Sequence, residues 1–325
     1  MAISALVVIV PYFILAIILP IFDEPIPDPL FFTEVYVSGL LSGVMYALVA
    51  LGFVLIFKAS GVFNFAQGAM VLFAALTFVR LLEMDVHFWL AVAITLVVMM
   101  VLAVVIERMM LRPLVNQPLI ILFMATIGLN YFLEGLAQGV WDAQVHGLDL
   151  GIPDVPWEQV AEATGLFISV FDVAAAVICG LLVLTLALFF QRGRIGRALR
   201  AVADDHQAAL SVGIPLQHIW TIVWATAGIV ALVAGALWGQ RLGVQFSISL
   251  IALKALPVLI IGGFNSIAGA IIGGLIIGAG EKLAEVYLGP VIGGGIESWF
   301  AYLIAMVFLL FRPHGLFGEE IIERV

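Results

Sequence analysis

Apolar residues run along this chain in long blocks rather than alternating with polar ones. A helix needs about 20 mostly apolar residues to cross the hydrocarbon core of a bilayer. Such blocks occur at 3–22, 35–57, 64–82, 88–106, 118–140, 167–190, 219–240, 245–263, 266–288 and 297–311. In lipid a segment must satisfy its own backbone polar groups, so blocks of this kind predict helices. The expected fold is all-α, a polytopic transmembrane helical bundle of about 8–10 membrane segments. It fills residues 1–325 as a single transmembrane domain.

Two blocks are ambiguous. The pair at 245–263 and 266–288 is broken by IGGFNS (261–266), either a turn between two spans or the tip of a re-entrant element near 255–270. Both fit, because irregular backbone at membrane depth is tolerated where protein or a cavity surrounds it. The first block lacks a positively charged flank and an obvious cleavage site, so residues 1–34 are expected to hold a retained first span and an outside acidic segment.

Composition agrees with lipid as the solvent. The chain is 64% apolar and 11% charged, whereas a soluble domain carries about 25% charged residues. The net charge of −9 is unevenly spread and implies no nucleic-acid partner. With the amino terminus inside and ten alternating spans, the inside loops hold nine Lys and Arg: Lys58, Arg108, Arg112, Arg192, Arg194, Arg197, Arg200, Arg312 and Arg324. The outside loops hold only Arg80 and Arg241, and Lys254 and Lys282 fall within spans. Cytoplasmic loops carry this excess, so both termini are expected in the cytoplasm, including the tail 312–325. The outside loop 141–166 is too polar to span, and is either a plain connection or a surface helix for an external partner.

Candidate chemistry is sparse. No metal-ligand, nucleophile-elbow or P-loop pattern occurs, so no catalytic residue, metal site or bound cofactor is expected, and any ATP must be used by a separate chain. The lone Cys179 reads as a small buried residue. Asn64 and Gln67 share a helix face in KASGVFNFAQGAM, where amides either line a polar path or bond a neighbouring helix. Glu134, Lys254, Glu281, Lys282, Glu285 and Glu297 lie in or near spans, where charged groups usually face protein or water. Glu281 and Glu285 share a face that could mark an aqueous vestibule. Small residues four apart (Ser38 and Ser42, Gly39 and Gly43, Gly269 and Gly273, Gly274 and Gly278) predict close helix contacts. The block 191–218 is the strongly charged one, with Arg192, Arg194, Arg197 and Arg200 ahead of Asp204 and Asp205.

In that block Gln207, Ala208 and Ala209, three residues, then Gly213 resemble the Glu-Ala-Ala, three residues, Gly loop of ABC importer permeases, with Gln in place of Glu. Four further segments extend the likeness across roughly residues 35–318: SGLLSGVMYALVALGFVLIFKASGVFNFAQGAM, RPL (112–114), VLIIGGFNSIAGAIIGGLIIGAGE and FRPHGLFG. Together they resemble the permease subunits of branched-chain amino-acid ABC importers, a family that includes urea and amide permeases. The resemblance implies a bacterial inner-membrane protein that forms a heterodimer with a related second permease. It also implies two cytoplasmic ATPase subunits and a periplasmic solute-binding protein. The solute would be a branched-chain or other hydrophobic amino acid, or a related small solute such as urea or an amide. Carried over by motif, Gln207, Ala208, Ala209 and Gly213, with Arg197 and Arg200 in the same loop, would face the ATPase. Asn64, Phe65, Gln67 and Gly68 would lie near the substrate path. The first span and 141–166 fit the family less well. Two other classes compete: an ion-coupled secondary transporter, which would need a mid-membrane ion site, and a membrane scaffold that moves no solute.

Overall fold

The computed structural model describes residues 2–22, 24–114, 117–204 and 206–318, with the backbone alone at 2–8, 204 and 206–208. Residues 319–325 of the expected tail, Arg324 among them, lie outside the described residues. The described residues form thirteen α-helices joined by short turns: α1 (Ala2–Ile18), α2 (Pro29–Ser60), α3 (Gln67–Glu83), α4 (Phe88–Ile106), α5 (Leu119–Trp141), α6 (Glu158–Thr164), α7 (Val170–Arg192), α8 (Arg194–Asp204), α9 (His206–Ser211), α10 (Leu216–Leu242), α11 (Ile251–Gly262), α12 (Ile267–Ile292) and α13 (Phe300–Phe311). Every apolar block becomes a helix, and six are long and apolar enough to cross a membrane: α2, α4 with its following turns, α5, α7, α10 and α12.

The centre is α2. Asp28 caps its amino end by accepting the Phe31 amide, Pro29 opens it, and Gly61 closes it in the left-handed region at φ 69°. These are the end signals that chemistry favours. At 1.5 Å per residue its 32 residues run about 48 Å. A hydrocarbon core is about 30 Å thick, so a helix of this length is long enough to span it and extend beyond it. Of its most apolar stretch, 78% is buried by protein, against 17% for α5. α2 is therefore core, and α5 presents most of its surface outward.

Glycines set how close α12 comes to its neighbours, and its two small-residue rows serve different partners. Gly274 and Gly278 lie against Gly43 and Gly39 of α2, while Gly269 and Gly273 lie against Gly262 and Val258 of α11. With packing rather than hydrophobicity driving association in lipid, backbone-to-backbone approach is the source of adhesion. α1 sits at the edge, where Leu15 and Leu19 join Phe32, Tyr36 and Leu283 in a small apolar cluster.

The bundle has a basic end and an acidic end. Lys58, Gln191, Arg200, Asn265 and Ser266 line one hollow at the first, and Arg108, Arg112 and His218 another. At the second, Arg80 bridges Glu83 and Asp142 at 2.7 and 2.9 Å. His146 there places Nδ1 2.8 Å from Glu83 and Nε2 3.1 Å from Asp142. The Asp142 carboxyl is held below the usual carboxylate range because it accepts the Gln144 amide, with His146 and Arg80 beside it.

The segment between α10 and α12 crosses the bundle, so the re-entrant alternative does not hold. Val244 pairs with His146 at the acidic end, and Lys58 Nζ donates to the Asn265 carbonyl at the basic end. The 3-10 turn Phe246–Leu250 and α11 add five and twelve residues, about 28 Å of rise. IGGFNS is a turn beyond the helix end, braced by the Leu316 and Phe317 amides donating to Ile261 and Gly262.

The loop 141–166 folds back over the acidic end. It carries the short helix α6 and pairs Pro156 with Ser169. The side-chain amide of Gln240 on α10 accepts from the Leu150 amide and donates to the Ile152 carbonyl. Leu148 is buried.

Candidate functional site: a phenylalanine-lined cavity and a basic helical loop

The segment before α3 breaks the helix at Gly61 and restarts it at Gln67. Asn64 holds the restart: its Oδ1 accepts the Ala66 amide at 3.1 Å, and its Nδ2 faces Met70 Sδ at 3.9 Å. Asn64 and Gln67 are both fully buried. Gln67 packs on the bare backbone of Gly52, and both atoms of its amide lack a hydrogen-bond partner among the described residues. Gly68 lies against the Ser249 carbonyl, where no side chain fits. Gln67 and Gly68 thus tie α3 to α2 and to the turn before α11, while Asn64 holds the start of α3 itself.

Phe65 behaves differently. With Phe53, Phe63, Tyr131, Phe246 and Leu256 it lines a cavity of about 400 Å3 between α2, α3, α5 and α11. Phe63 stacks on Phe53 at 4.7 Å between ring centroids and meets Phe65 edge-on at 4.8 Å. Asn130 and Glu134 on α5 supply the polar side of the same wall. A mostly aromatic cavity with a few polar groups suits a small amphipathic solute. Residue spacing singled out the polar members of the FAQG segment; the geometry brings only its phenylalanine to the cavity. Nothing local in the sequence marked Tyr131 or Phe246, which reach it from distant helices.

At the basic end α8 packs as an amphipathic helix. Leu199 and Val202 are buried, and Arg200 donates to the Phe190 and Gln191 carbonyls at 3.0 and 3.3 Å. Arg197 donates to the Arg192 carbonyl at 3.3 Å. These carbonyls end α7 and have no partner within the helix, so the two arginines cap it while complementing its dipole. Gly196 lies against the Phe190 carbonyl, which a methyl group would overlap. The short helix α9 follows, and Gly213 turns the chain at φ 83°, a region glycine occupies without strain. Its amide donates to the Leu210 carbonyl at 3.0 Å. Ala209 is buried, while Leu210 and Val212 are 52% and 75% exposed. The Gln207 and Ala208 side chains lie outside the described residues.

The charged groups near spans that find partners separate into two kinds, ion pairs between helices and a carboxylate that holds a turn. Lys254 on α11 pairs with Glu281 on α12 at 2.6 Å, and Arg241 pairs with Asp172 at 2.9 Å. Glu285 accepts the Gly295 and Glu297 amides and so holds the turn before α13. Glu281 and Glu285 therefore part company, and the vestibule expected from their shared face is not formed by the two together. Among the described residues no group of three or more His, Cys, Asp or Glu is placed to hold a metal ion.

Known proteins place this arrangement. The family model for the permease component of branched-chain amino acid transport systems matches residues 35–312. The chain is 31% identical over 311 residues to the high-affinity branched-chain amino acid transport system permease protein LivH of Escherichia coli K12, covering 91% of this chain and 98% of that protein. It is 29% identical over 310 residues to the corresponding permease protein BraD of Pseudomonas aeruginosa, covering 92% and 100%. A probable branched-chain amino acid transport permease protein LivH of Methanocaldococcus jannaschii is 29% identical over 294 residues, covering 85% and 89%. A bundle of apolar helices matched from α2 to the end of α13 is thus a multi-pass membrane transport protein, and the chain belongs to the family of permease components of branched-chain amino acid transport systems.

Proposed function

We propose that this chain is one membrane half of an ATP-driven importer for a branched-chain or similar hydrophobic amino acid. The supporting observation is the basic loop 191–218: two short helices anchored to α7 by arginine, with apolar Leu210 and Val212 left exposed beside a glycine turn. Exposed apolar groups rimmed by charge suit a protein partner. That partner is a cytoplasmic ATPase subunit, which presses on the loop through Arg197, Arg200, Gln207, Ala208, Ala209 and Gly213. A second, related permease completes the membrane part, and a periplasmic solute-binding protein delivers the ligand to the acidic end. The basic end faces the cytoplasm, with both termini, in the inner membrane of a bacterium.

The resemblance to named branched-chain permeases supports the solute class, and the aromatic cavity beside Phe65 supports an apolar side chain within the path. ATP is bound by the partner; this chain supplies the two-state membrane element that the partner moves. The family match favours this reading over an ion-coupled transporter.

The decisive experiment is reconstitution in vesicles with candidate ATPases, a second permease and the binding protein. Uptake of labelled leucine should require ATP inside and persist when ion gradients are collapsed. Gly213→Arg should abolish co-purification of the ATPase or uncouple its hydrolysis from uptake. Full transport with unchanged ATPase binding in that variant would overturn the role given to the loop.

A further inference from the structure

Glu134 stands apart from the other carboxylates of the membrane-length helices. Glu34 accepts the Phe167 amide, and Glu285 accepts two backbone amides. Glu107 pairs with Arg112, Asp172 with Arg241 and Glu281 with Lys254. Glu134 makes no hydrogen bond or ion pair with any described residue. It lies seven residues before the end of α5 at Trp141, about 10 Å of rise. That places it inside a helix long and apolar enough to cross a membrane. A carboxylate at such depth is costly unless a positive group or water meets it, so it marks a site.

Its place on α5 says what it faces. Phe123, Ile127, Asn130 and Glu134 are all partly buried, and at three- and four-residue spacing they share one flank of the helix. That flank lies between the buried row Thr126, Leu133 and Ala137 and the exposed Tyr131. Phe123 meets Phe65 edge-on at 5.0 Å, and Ile127, Asn130 and Glu134 line the 400 Å3 cavity that Phe65 enters. Among the described residues of its wall, Glu134 is the charged one, and the wall holds no Lys, Arg or His. Phenylalanine rings hold an apolar body and attract a cation through their negative faces. The wall therefore complements a positive head on an apolar body and offers no countercharge to an anion.

We propose that Glu134 makes this cavity selective for the charge of its solute: it receives an ammonium group while Phe53, Phe63 and Phe65 hold the apolar part. Asn130, one turn along α5, supplies an uncharged donor for the carboxylate of a zwitterion. An amino acid thus enters where a plain carboxylic acid does not. That the ammonium belongs to an amino acid rests on the transport reading above; the charge selection rests on the cavity alone.

The test uses the full chain purified with its co-purifying subunits, without nucleotide or solute-binding protein. The thermal unfolding midpoint is followed against 3-methylbutylamine, 3-methylbutan-1-ol and 4-methylpentanoate, which share an apolar tail and differ in head-group charge. Ligand that binds only the folded state raises the midpoint in a saturable way. The amine should do so, and the alcohol and the acid should not at the same concentrations. Glu134→Gln should weaken the apparent affinity for the amine about ten-fold or more, because a charge-assisted hydrogen bond is lost. Glu134→Asp should keep the amine ahead of the alcohol. Equal shifts with amine and alcohol, or no saturable shift with the amine, would overturn the proposal, and neither result needs a variant that folds. A Glu134→Gln protein with the full amine response would overturn it as well. Leucine uptake by the complete transporter separates the two ideas. Glu134→Gln should raise the KM for leucine; an unchanged KM refutes the role of Glu134 and leaves the transport reading standing. Saturable amine binding in a protein that supports no leucine uptake keeps the site and overturns the transport reading.

Discussion

Gly43 and Gly274 meet backbone to backbone: a methyl group on either would stand 2.6 Å from the other's carbonyl oxygen. The contact seats α12 in the groove of α2 and so fixes the position of the helix that carries Glu281. Gly43→Val should lower the unfolding midpoint in detergent, since overpacking costs about 1–3 kcal/mol and backbone cannot move aside as a side chain can. Gly128→Ala on α5, where nothing lies within 4 Å, should leave the midpoint unchanged or raise it, by about 0.4–1 kcal/mol. Equal losses in both would mean that the seam is not tightly packed.

Lys254 and Glu281 should behave as a coupled pair. Removing Lys254 leaves the buried Glu281 carboxylate without its partner, a loss of about 3–5 kcal/mol, whereas removing Glu281 leaves Lys254 unpaired but partly exposed. Lys254→Met alone should therefore reduce folded yield sharply and Glu281→Met less so, and the double variant should recover most of the loss. A double-mutant cycle on detergent-purified protein measures this directly. Additive losses would show that the pair is not coupled.

The FAQG segment divides into scaffold and lining. Asn64→Leu removes the acceptor for the Ala66 amide and should lower folded yield, by about 1–3 kcal/mol for an unsatisfied buried donor. Phe65→Ala should leave yield nearer normal and change uptake per folded molecule, because Phe65 faces the cavity. Quantifying folded protein by size-exclusion chromatography alongside uptake separates the two; the reverse outcome would mean that the path runs past Asn64.

Arg200 acts through what it holds. Arg200→Ala frees the Phe190 and Gln191 carbonyls and should loosen α8 without unfolding the bundle. ATP hydrolysis by an assembled transporter should continue while uptake falls, read as a drop in solute moved per ATP. An unchanged ratio would show that the loop needs no such anchor.

The acidic end should respond to pH through Asp142. A carboxylate whose folded pKa is depressed adds stability that is fully present above its unfolded value, about 3.9, and is lost as pH falls through the lower folded value. The midpoint should therefore be insensitive to this group from neutral pH to about pH 5 and decline at more acidic pH. Asp142→Asn should flatten that part of the acid limb; an identical limb in the variant would place the acid sensitivity elsewhere.

Much of the bundle was legible along the chain because hydropathy is a local property. Each apolar block became a helix, although α2 runs past the 35–57 block to ends set by Asp28, Pro29 and Gly61. The arginines of 191–200 marked the basic end, because positive charge is sorted to one side of a membrane without reference to tertiary contacts. The two glycine rows of α12 were visible as four-residue spacings, but not that one faces α2 and the other α11. Whether 245–263 crosses the bundle was also undecided, since a turn and a re-entrant tip use the same residues; the pairing of Val244 with His146 and of Lys58 with Asn265 decided it.

By itself, then, the order of residues determined which segments enter lipid, which end is basic and which family the motifs resemble. The fold decided which polar side chains meet. Lys254 finds Glu281 across 27 positions and Tyr46 finds it across 235, while Asn64 turns inward to its own backbone and Phe65 outward to a cavity. The physical reason is that a polar group in a bilayer must be satisfied by whatever packs beside it, and that neighbour is set by helix crossing and glycine contact rather than by sequence distance.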